Sequence, residues 1–348
     1  MSSTAPVFIV GSPRSGTTLT YHLLLASGGF AIYRAEAEFY NTLGPLFGNF
    51  RTLELRKEFL EQWYQSELFK RSGLNIQDIE KSILESCDSP GACQKVFMDA
   101  IVERQGARRW ADTTPINCLF IDRIQCDFPK AFIVHMIRDG RDVAMSLAKQ
   151  RWIKPLPWHR KEEYLPAGAY WQWCVGRAQK WAKRLGNRYL EVRFEDLISD
   201  RDACLDRLFA FLGEAYDRER IDQNMLGSIS RPNTSFLQDD ASSSFSPLNR
   251  WRQLPEENQR QLESFLGSVL DDLHYPRQFG EGRSFGFAQR MYSWRFELRQ
   301  RLKSQSWLAR KMADRSLLNW APPLDRDDFT LRPGENPAEI ERLVGSQT

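Results

Sequence analysis

Three short apolar runs stand out along the chain, at 6–11, 131–138 and 188–194. A turn and then a helical pattern follow each run, which is the alternation of strands and helices found in parallel sheets. After the first run, leucines at helical spacing within 18–26 predict a helix that packs on the sheet. The pattern therefore predicts an α/β fold with a central parallel sheet.

A helical insertion is predicted between the first strand and the later part of the sheet. Apolar residues recur at helical spacing among charged residues, so we expect a helical excursion over about 49–91. The ranges 199–212 and 255–273 predict two further amphipathic helices.

The segment 283–315 is strongly basic. From 283 to 315 there are nine basic residues and two acidic ones. An apolar stripe at steps of four, three, four and four predicts an amphipathic helix, formed by Phe287, Met291, Trp294, Leu298 and Leu302. We therefore divide the chain into a domain at 1–282 and a tail at 283–348. The tail helix would lie on an anionic membrane, associate with another subunit or cap its own domain.

Composition restricts the class of protein. The 348 residues are 42% hydrophobic and 27% charged, ordinary values for a globular chain, and the net charge of +3 is too weak to predict nucleic-acid binding. No run approaches the ~20 apolar residues that span a bilayer. The six cysteines form no CxxC pair and no Cys/His metal spacing, and no secretory signal opens the sequence. We expect reduced cysteines, no metal site and a cytoplasmic protein.

The loop after the first strand has the pattern of an anion site. Gly11 and Gly16 have the spacing of a nucleotide-binding P-loop and Thr18 takes its Ser/Thr position, but Thr17 replaces the lysine. The cation is Arg14, three residues earlier. Backbone N–H groups at such a strand–turn–helix junction favour an anion, although a Gly/Ser/Pro turn also forms without any ligand. The loop is therefore predicted to hold an anion other than ATP with magnesium.

A second strand–turn–helix junction follows the strand at 131–138. Arg138 ends that strand, and Ser146 lies eight residues further on, two turns into the next helix. An arginine and a hydroxyl in these positions would hold a second phosphate. Two anion sites at one sheet edge predict a nucleotide with phosphate at both ends.

These motifs together resemble the sulfotransferases that use 3′-phosphoadenosine 5′-phosphosulfate (PAPS). The segment 11–18 is similar to that family's 5′-phosphosulfate loop, and Arg138 with Ser146 to its 3′-phosphate motif. The segments 191–197 and 249–252 are similar to two later family segments, so the resemblance covers roughly 6–275. It is nearest to the bacterial and tyrosylprotein branches. It implies a P-loop-type domain of three layers.

The resemblance also implies roles for individual residues. The 5′-phosphosulfate would be held by Arg14, Ser15, Gly16, Thr17 and Thr18. Arg138 and Ser146 would hold the 3′-phosphate, and Arg250 would close over the nucleotide from a late loop. Sulfuryl transfer to a hydroxyl group of the acceptor would need no metal and would leave 3′,5′-ADP. The acceptor would be a carbohydrate, a lipid, a peptide or a small metabolite.

By the same resemblance, Glu36 would be the catalytic base and Arg14 would neutralise the leaving group. Glu36 stands 22 residues after Arg14, with Glu38 two positions further on, although a solvated acidic loop would have the same pattern. Two positions depart from the family. Thr113 stands where relatives place a lysine or a catalytic histidine, and Phe194 where they often place a tyrosine.

Two alternative functions stay open on the sequence alone. A P-loop kinase with a displaced cation would bind ATP and require magnesium. A non-catalytic nucleotide-binding protein would keep both loops but would not transfer a group. The absence of a basic residue at Thr113 is compatible with that alternative.

An aromatic stretch at 152–173 would line an acceptor pocket or pack a loop against a helix.

Overall fold

Four parallel strands form one sheet at the centre of the protein. The computed structural model describes residues 5–33, 35–223, 246–280, 285–304 and 318. The strands are Val7–Gly11 (β1), Ala111–Asp112 (β2), Phe132–Ile137 (β3) and Tyr189–Arg193 (β4), in the order β2-β1-β3-β4. The three predicted strands are confirmed. The edge strand β2 has only two residues, too few to show the alternation that identifies a strand in sequence.

All strand pairs are parallel, so their carboxyl ends meet at one edge of the sheet. Gly11 at the end of β1 is opposite Met136 of β3, and Ile137 of β3 is opposite Arg193 of β4. Ligands of open parallel sheets bind at this edge.

Helices cover the sheet and form the insertion. The α-helices before β3 are Thr17–Ala26 (α1), Gly44–Leu46 (α2), Leu53–Trp63 (α3), Glu67–Lys70 (α4), Glu80–Ser86 (α5), Pro90–Gln105 (α6) and Ile121–Asp127 (α7). Those after β3 are Gly140–Gln150 (α8), Leu165–Gln179 (α9), Ala182–Leu185 (α10), Phe194–Ser199 (α11), Arg201–Leu212 (α12), Arg218–Gln223 (α13), Glu256–Asp272 (α14) and Gly286–Ser304 (α15). The shorter helical turns are a π-helix at Phe39–Leu43 and 3₁₀-helices at Gly48–Phe50, Ile76–Asp78, Pro115–Leu119, Pro157–His159, Gly186–Arg188 and Arg250–Gln253.

The sheet is buried on both faces, which gives the predicted three-layer α/β domain. Successive side chains of β1 alternate, so Phe8 and Val10 join the core built with the helical insertion, whereas Val7 and Ile9 join the core built with α1 and α12. The insertion is confirmed but longer than predicted. It begins with the π-helix at Phe39–Leu43 and continues through α6.

A buried charge network fastens α14 and the segment after it to the turn that follows β3. Arg141 donates hydrogen bonds to Asp139 Oδ2 at 2.7 Å and to Glu263 Oε2 at 2.8 Å. Glu263 is fully buried and also accepts from the backbone N–H groups of Gln278 and Phe279. Removing one member of this network would leave another charged group unpaired in the core, which would lower the free energy of unfolding.

The C-terminal helix α15 packs against α9. Tyr292 and Phe296 are buried on this face, and the ring of Phe296 meets that of Tyr170 edge-on at 5.3 Å. The predicted tail helix is therefore confirmed as far as residue 304, while 283–284 and 305–315 lie outside the described residues. The division into domains at 282/283 stays a prediction.

All six cysteines are free thiols and five of them are buried, as the sequence predicted for core residues. His135, inside β3, is also buried, and its Nδ1 lies 2.7 Å from the hydroxyl of Tyr189. Among the helices that the structure describes, none combines the length and the apolarity needed to cross a bilayer.

Candidate functional site

The first predicted loop connects the end of β1 to the start of α1. Gly16 has a φ of 96°, and a Cβ added there would lie 2.4 Å from the Cδ2 atom of Phe194, so the turn requires glycine. Ser15 and Thr17 are buried and Thr18 is exposed. The Ser15 hydroxyl has no hydrogen-bond partner among the described residues. A buried, unsatisfied hydroxyl in a loop of this kind is typical of a ligand site.

The structure brings the two predicted anion sites into contact. Arg14 Nε donates a 2.9 Å hydrogen bond to Ser146 Oγ on α8, and Arg138 Nη1 donates a 3.2 Å hydrogen bond to the Arg14 carbonyl. Ser146 accepts this bond and so keeps its own proton to donate to an anion. Burial and the Arg138 charge lower the pKa of Arg14 to about 10. Arg138 is buried and Arg14 half-buried, and a bound anion would relieve the repulsion between their guanidinium groups.

Arg138 is oriented by contacts on several sides. Its guanidinium carbon lies 4.4 Å from the ring centroid of Phe194, and its Nη2 donates to the Pro247 carbonyl at 2.6 Å. The Asp142 carboxylate lies 3.7 Å from the same nitrogen. Burial lowers the pKa of Arg138. Phe194, at a position where relatives often carry a tyrosine, thus provides a ring on which the Arg138 guanidinium stacks. Together these contacts hold the Arg138 side chain in a fixed orientation before any ligand binds.

A third arginine, Arg250, reaches this region from the 3₁₀-helix Arg250–Gln253. The side chain is buried, and its positive charge further lowers the pKa of Arg138. The next residue anchors the segment to α8, because the Trp251 N–H donates to Asp142 Oδ1 at 2.8 Å. Three arginines from distant parts of the chain therefore share one region of positive potential.

Glu36 belongs to a cluster of carboxyl groups. The side chain is half-buried and forms a hydrogen bond with the carboxyl group of Glu38. Glu38 Oε2 in turn accepts from Thr42 Oγ1 at 2.6 Å and Asn41 Nδ2 at 3.1 Å. Burial, and then the negative charges of Glu38 and Asp112, raise the pKa of Glu36 well above its ordinary value. This environment differs from that of a solvated acidic loop and is typical of a general base or acid.

The turn after β2 contributes to the same cluster. Asp112 is buried and accepts hydrogen bonds from α6 and from its own turn, including one from Thr114 Oγ1 at 2.7 Å. Thr114 Oγ1 also accepts from the Glu38 N–H at 3.3 Å. Thr113 is buried, and within the described part of the chain its hydroxyl has no partner. Since β1 and β2 are neighbours about 5 Å apart, the carboxyl cluster and the arginine region lie at the same sheet edge.

Lys303, near the end of α15, brings a cation to the carboxyl cluster. It is half-buried; burial and the charge of Arg299 lower its pKa, while the Glu38 carboxylate raises it. Its ammonium therefore lies within electrostatic reach of Glu38. In the sequence this lysine is only one of many basic residues of the tail. More than 260 positions separate it from Glu38, so no local pattern connects the two.

The aromatic stretch at 152–173 is divided between packing and surface. Trp171 is fully buried, and its Nε1 donates to the Arg138 carbonyl at 3.1 Å. Gly140 makes room for this ring, since a Cβ there would lie 2.5 Å from it. Trp171 thus helps to hold the backbone of Arg138 in place, whereas Trp152 and Trp158 are exposed.

The predicted residues therefore form two adjacent groups. Arg14, Ser146, Arg138 and Arg250 form one positive group. Glu36 lies in the acidic group at the neighbouring strand end. Chemically, such a site can bind a doubly phosphorylated ligand and hold a carboxyl group that exchanges protons beside it.

Comparison with known proteins identifies a family and a fold. The model of a family described as "Sulfotransferase family" matches residues 6–218. The structure resembles the sulfotransferase domain of the olefin synthase of Synechococcus PCC 7002, with a TM-score of 0.52 and 22% identity over 77% of this chain and 96% of that one. The sulfotransferase domain from the curacin biosynthetic pathway has a TM-score of 0.52 and 17% identity, over 79% of this chain and 99% of that one.

A protein described as uncharacterized, from Aquifex aeolicus (strain VF5), is 25% identical over 151 residues. The matched stretch covers 43% of this chain and 18% of that protein.

Proposed function

The chain belongs to the sulfotransferase family, and from that premise we propose that it transfers a sulfuryl group from PAPS to a hydroxyl group of an acceptor. The observation that carries this proposal is the contact between the two anion sites, Arg14 Nε to Ser146 Oγ at 2.9 Å and Arg138 Nη1 to the Arg14 carbonyl at 3.2 Å. A nucleotide with phosphate at both ends fits two such sites side by side.

The residues that would hold this nucleotide fit it chemically. Arg14 and the loop from Ser15 to Thr18 would bind the 5′-phosphosulfate, where the buried Ser15 hydroxyl lacks a partner among the described residues. Arg138 and Ser146 would bind the 3′-phosphate, with Arg250 as a further cation. Burial, and then repulsion from Arg138, lowers the pKa of Arg14 to about 10, and a bound anionic group would relieve that repulsion.

Bound PAPS would supply the sulfuryl group, and the chain would supply positioning, charge and a base. Arg14 would neutralise the charge that develops on the leaving nucleotide, so the proposed transfer needs no metal. Glu36 would take the proton of the acceptor hydroxyl, for which its carboxyl group must first be ionised. Because its pKa is raised, activity should fall with decreasing pH at a higher pH than for an ordinary glutamate.

We further propose a cytoplasmic location and an acceptor that carries a hydroxyl group. The six free cysteines support a reducing compartment. The sulfotransferase family supports the hydroxyl acceptor.

The test is a screen of hydroxyl-bearing acceptors with radiolabelled PAPS, using the natural protein and Glu36→Gln. We expect Glu36→Gln to lower transfer by about 10²- to 10⁴-fold, the usual contribution of a general base, while 3′,5′-ADP binding is unchanged. Glu61→Gln, at an exposed position of α3, is the matched control. Retained turnover in Glu36→Gln would refute the base assignment. Binding of 3′,5′-ADP without transfer to any acceptor would favour the non-catalytic alternative.

A further inference from the structure

Helix α15 is apolar on two faces, and only one of them packs against the protein. Tyr292 and Phe296 on the inner face are buried. On the opposite face Phe287 is 66% exposed, Trp294 60% and Leu298 40%. These three belong to the stripe that the sequence identified, whereas its other two members, Met291 and Leu302, are half-buried, so only part of the stripe is exposed.

A loop that contacts α15 also exposes large apolar side chains. The loop between α8 and α9 contacts α15 directly, because Arg295 Nη1 donates to the Lys154 carbonyl at 2.9 Å and the Leu156 N–H donates to the Tyr292 hydroxyl at 3.2 Å. Within the described residues seven large apolar side chains are strongly exposed, and five of them lie on α15 or this loop. We name these five the aromatic surface, formed by Trp152, Trp158, Phe287, Trp294 and Leu298.

Exposed cations accompany the aromatic surface. Arg290 lies three residues after Phe287 and four before Trp294, and Arg301 lies three after Leu298, so both border the stripe. The single acidic residue of α15, Glu297, is half-buried, and its carboxylate accepts a hydrogen bond from Trp173 Nε1 at 2.9 Å. The loop adds four exposed cations, Arg151, Lys154, Arg160 and Lys161.

We propose that the aromatic surface binds the headgroup region of a membrane that contains anionic phospholipids. Tryptophan side chains favour the membrane–water interface, and the bordering arginines complement anionic headgroups. A symmetric pair of copies would bring Arg290 and Arg301 of both chains to one interface, and the repulsion among these like charges disfavours a dimer through this face.

The experiment is co-sedimentation of the full chain with vesicles of phosphatidylcholine alone or mixed with phosphatidylserine. We expect binding only to the mixed vesicles and its loss at 1 M salt, where the Debye length falls to about 3 Å. Arg290→Gln/Arg301→Gln should weaken binding about 30-fold, since each basic residue near an anionic surface contributes roughly fivefold. Phe287→Ser/Trp294→Ser should weaken it by at least about tenfold through lost apolar burial.

The control variant is Leu53→Ser/Tyr64→Ser, at the first residue of α3 and at the residue that follows its end, where the two side chains are 41% and 42% exposed. It should bind mixed vesicles as the natural protein does, and circular dichroism checks that every variant is folded. Equal binding to both vesicle types, or no binding to either, would overturn the proposal. So would a dimer in sedimentation velocity that Phe287→Ser/Trp294→Ser abolishes, because that result would assign the surface to a second copy.

Discussion

Replacing Ser146 with alanine tests whether this residue binds the 3′-phosphate of the proposed nucleotide, independently of the 5′-phosphate. The Ser146 hydroxyl accepts from Arg14 Nε at 2.9 Å and keeps one proton to donate. If that proton goes to the 3′-phosphate, the variant loses one hydrogen bond to a charged group, which contributes about 1.5–3 kcal/mol. The dissociation constant of 3′,5′-ADP should therefore rise about 10- to 150-fold.

The assay is titration calorimetry with 3′,5′-ADP and with 5′-AMP, which lacks the 3′-phosphate. Ser146→Ala should leave the affinity for 5′-AMP unchanged, because its phosphate binds at the Arg14 loop. Ser293→Ala, at an exposed serine of α15, controls for the substitution itself. Equal weakening of both nucleotides would refute the reasoning, since Ser146 would then act only by positioning Arg14.

Three further substitutions test the fold and the carboxyl cluster. Gly16→Ala should lower the free energy of unfolding by about 1–3 kcal/mol in urea denaturation, because φ is 96° and the added Cβ clashes; an unchanged midpoint would contradict the described turn. Glu263→Gln should cost about 3 kcal/mol because Arg141 stays buried with one partner fewer, whereas Glu256→Gln, in an exposed ion pair, should cost less than about 1 kcal/mol; equal costs would contradict the buried network. Lys303→Met removes a cation that favours ionised carboxyl groups, so the acid limb of the pH–activity profile should move to higher pH; an unmoved limb would show that Lys303 does not affect the reacting carboxyl group.

The candidate anion site could be predicted from the sequence because the pattern that suggests it is local. Each junction combines a buried strand, a turn with special backbone geometry and the start of a helix, as at Gly16. Parallel strands bring their carboxyl ends to one edge, so Arg14 and Arg138 were expected together although 124 residues separate them. The hydrogen bonds that join them, from Arg14 to Ser146 and from Arg138 to the Arg14 carbonyl, are seen only in the structure. No repeating pattern in a sequence shows which side chains will reach one another.

Other features depend on contacts between distant segments. Arg141 and Glu263 would be taken as surface charges in sequence, since charged residues are almost never fully buried unless they are paired. In α15 the most regular apolar stripe exposes Phe287, Trp294 and Leu298, while a face that includes Tyr292 packs on the domain. Hydrophobic periodicity identifies a helix, but it does not decide between two apolar faces.

The central claim is that one nucleotide bridges the Arg14 and Arg138 sites. Titration calorimetry of the natural protein with 3′,5′-ADP, 5′-AMP and ATP, all without metal, tests it most directly. We expect 3′,5′-ADP to bind in the micromolar range, about −8 kcal/mol, and 5′-AMP and ATP to bind far more weakly. Equal affinity for 3′,5′-ADP and 5′-AMP, or a preference for ATP, would contradict it.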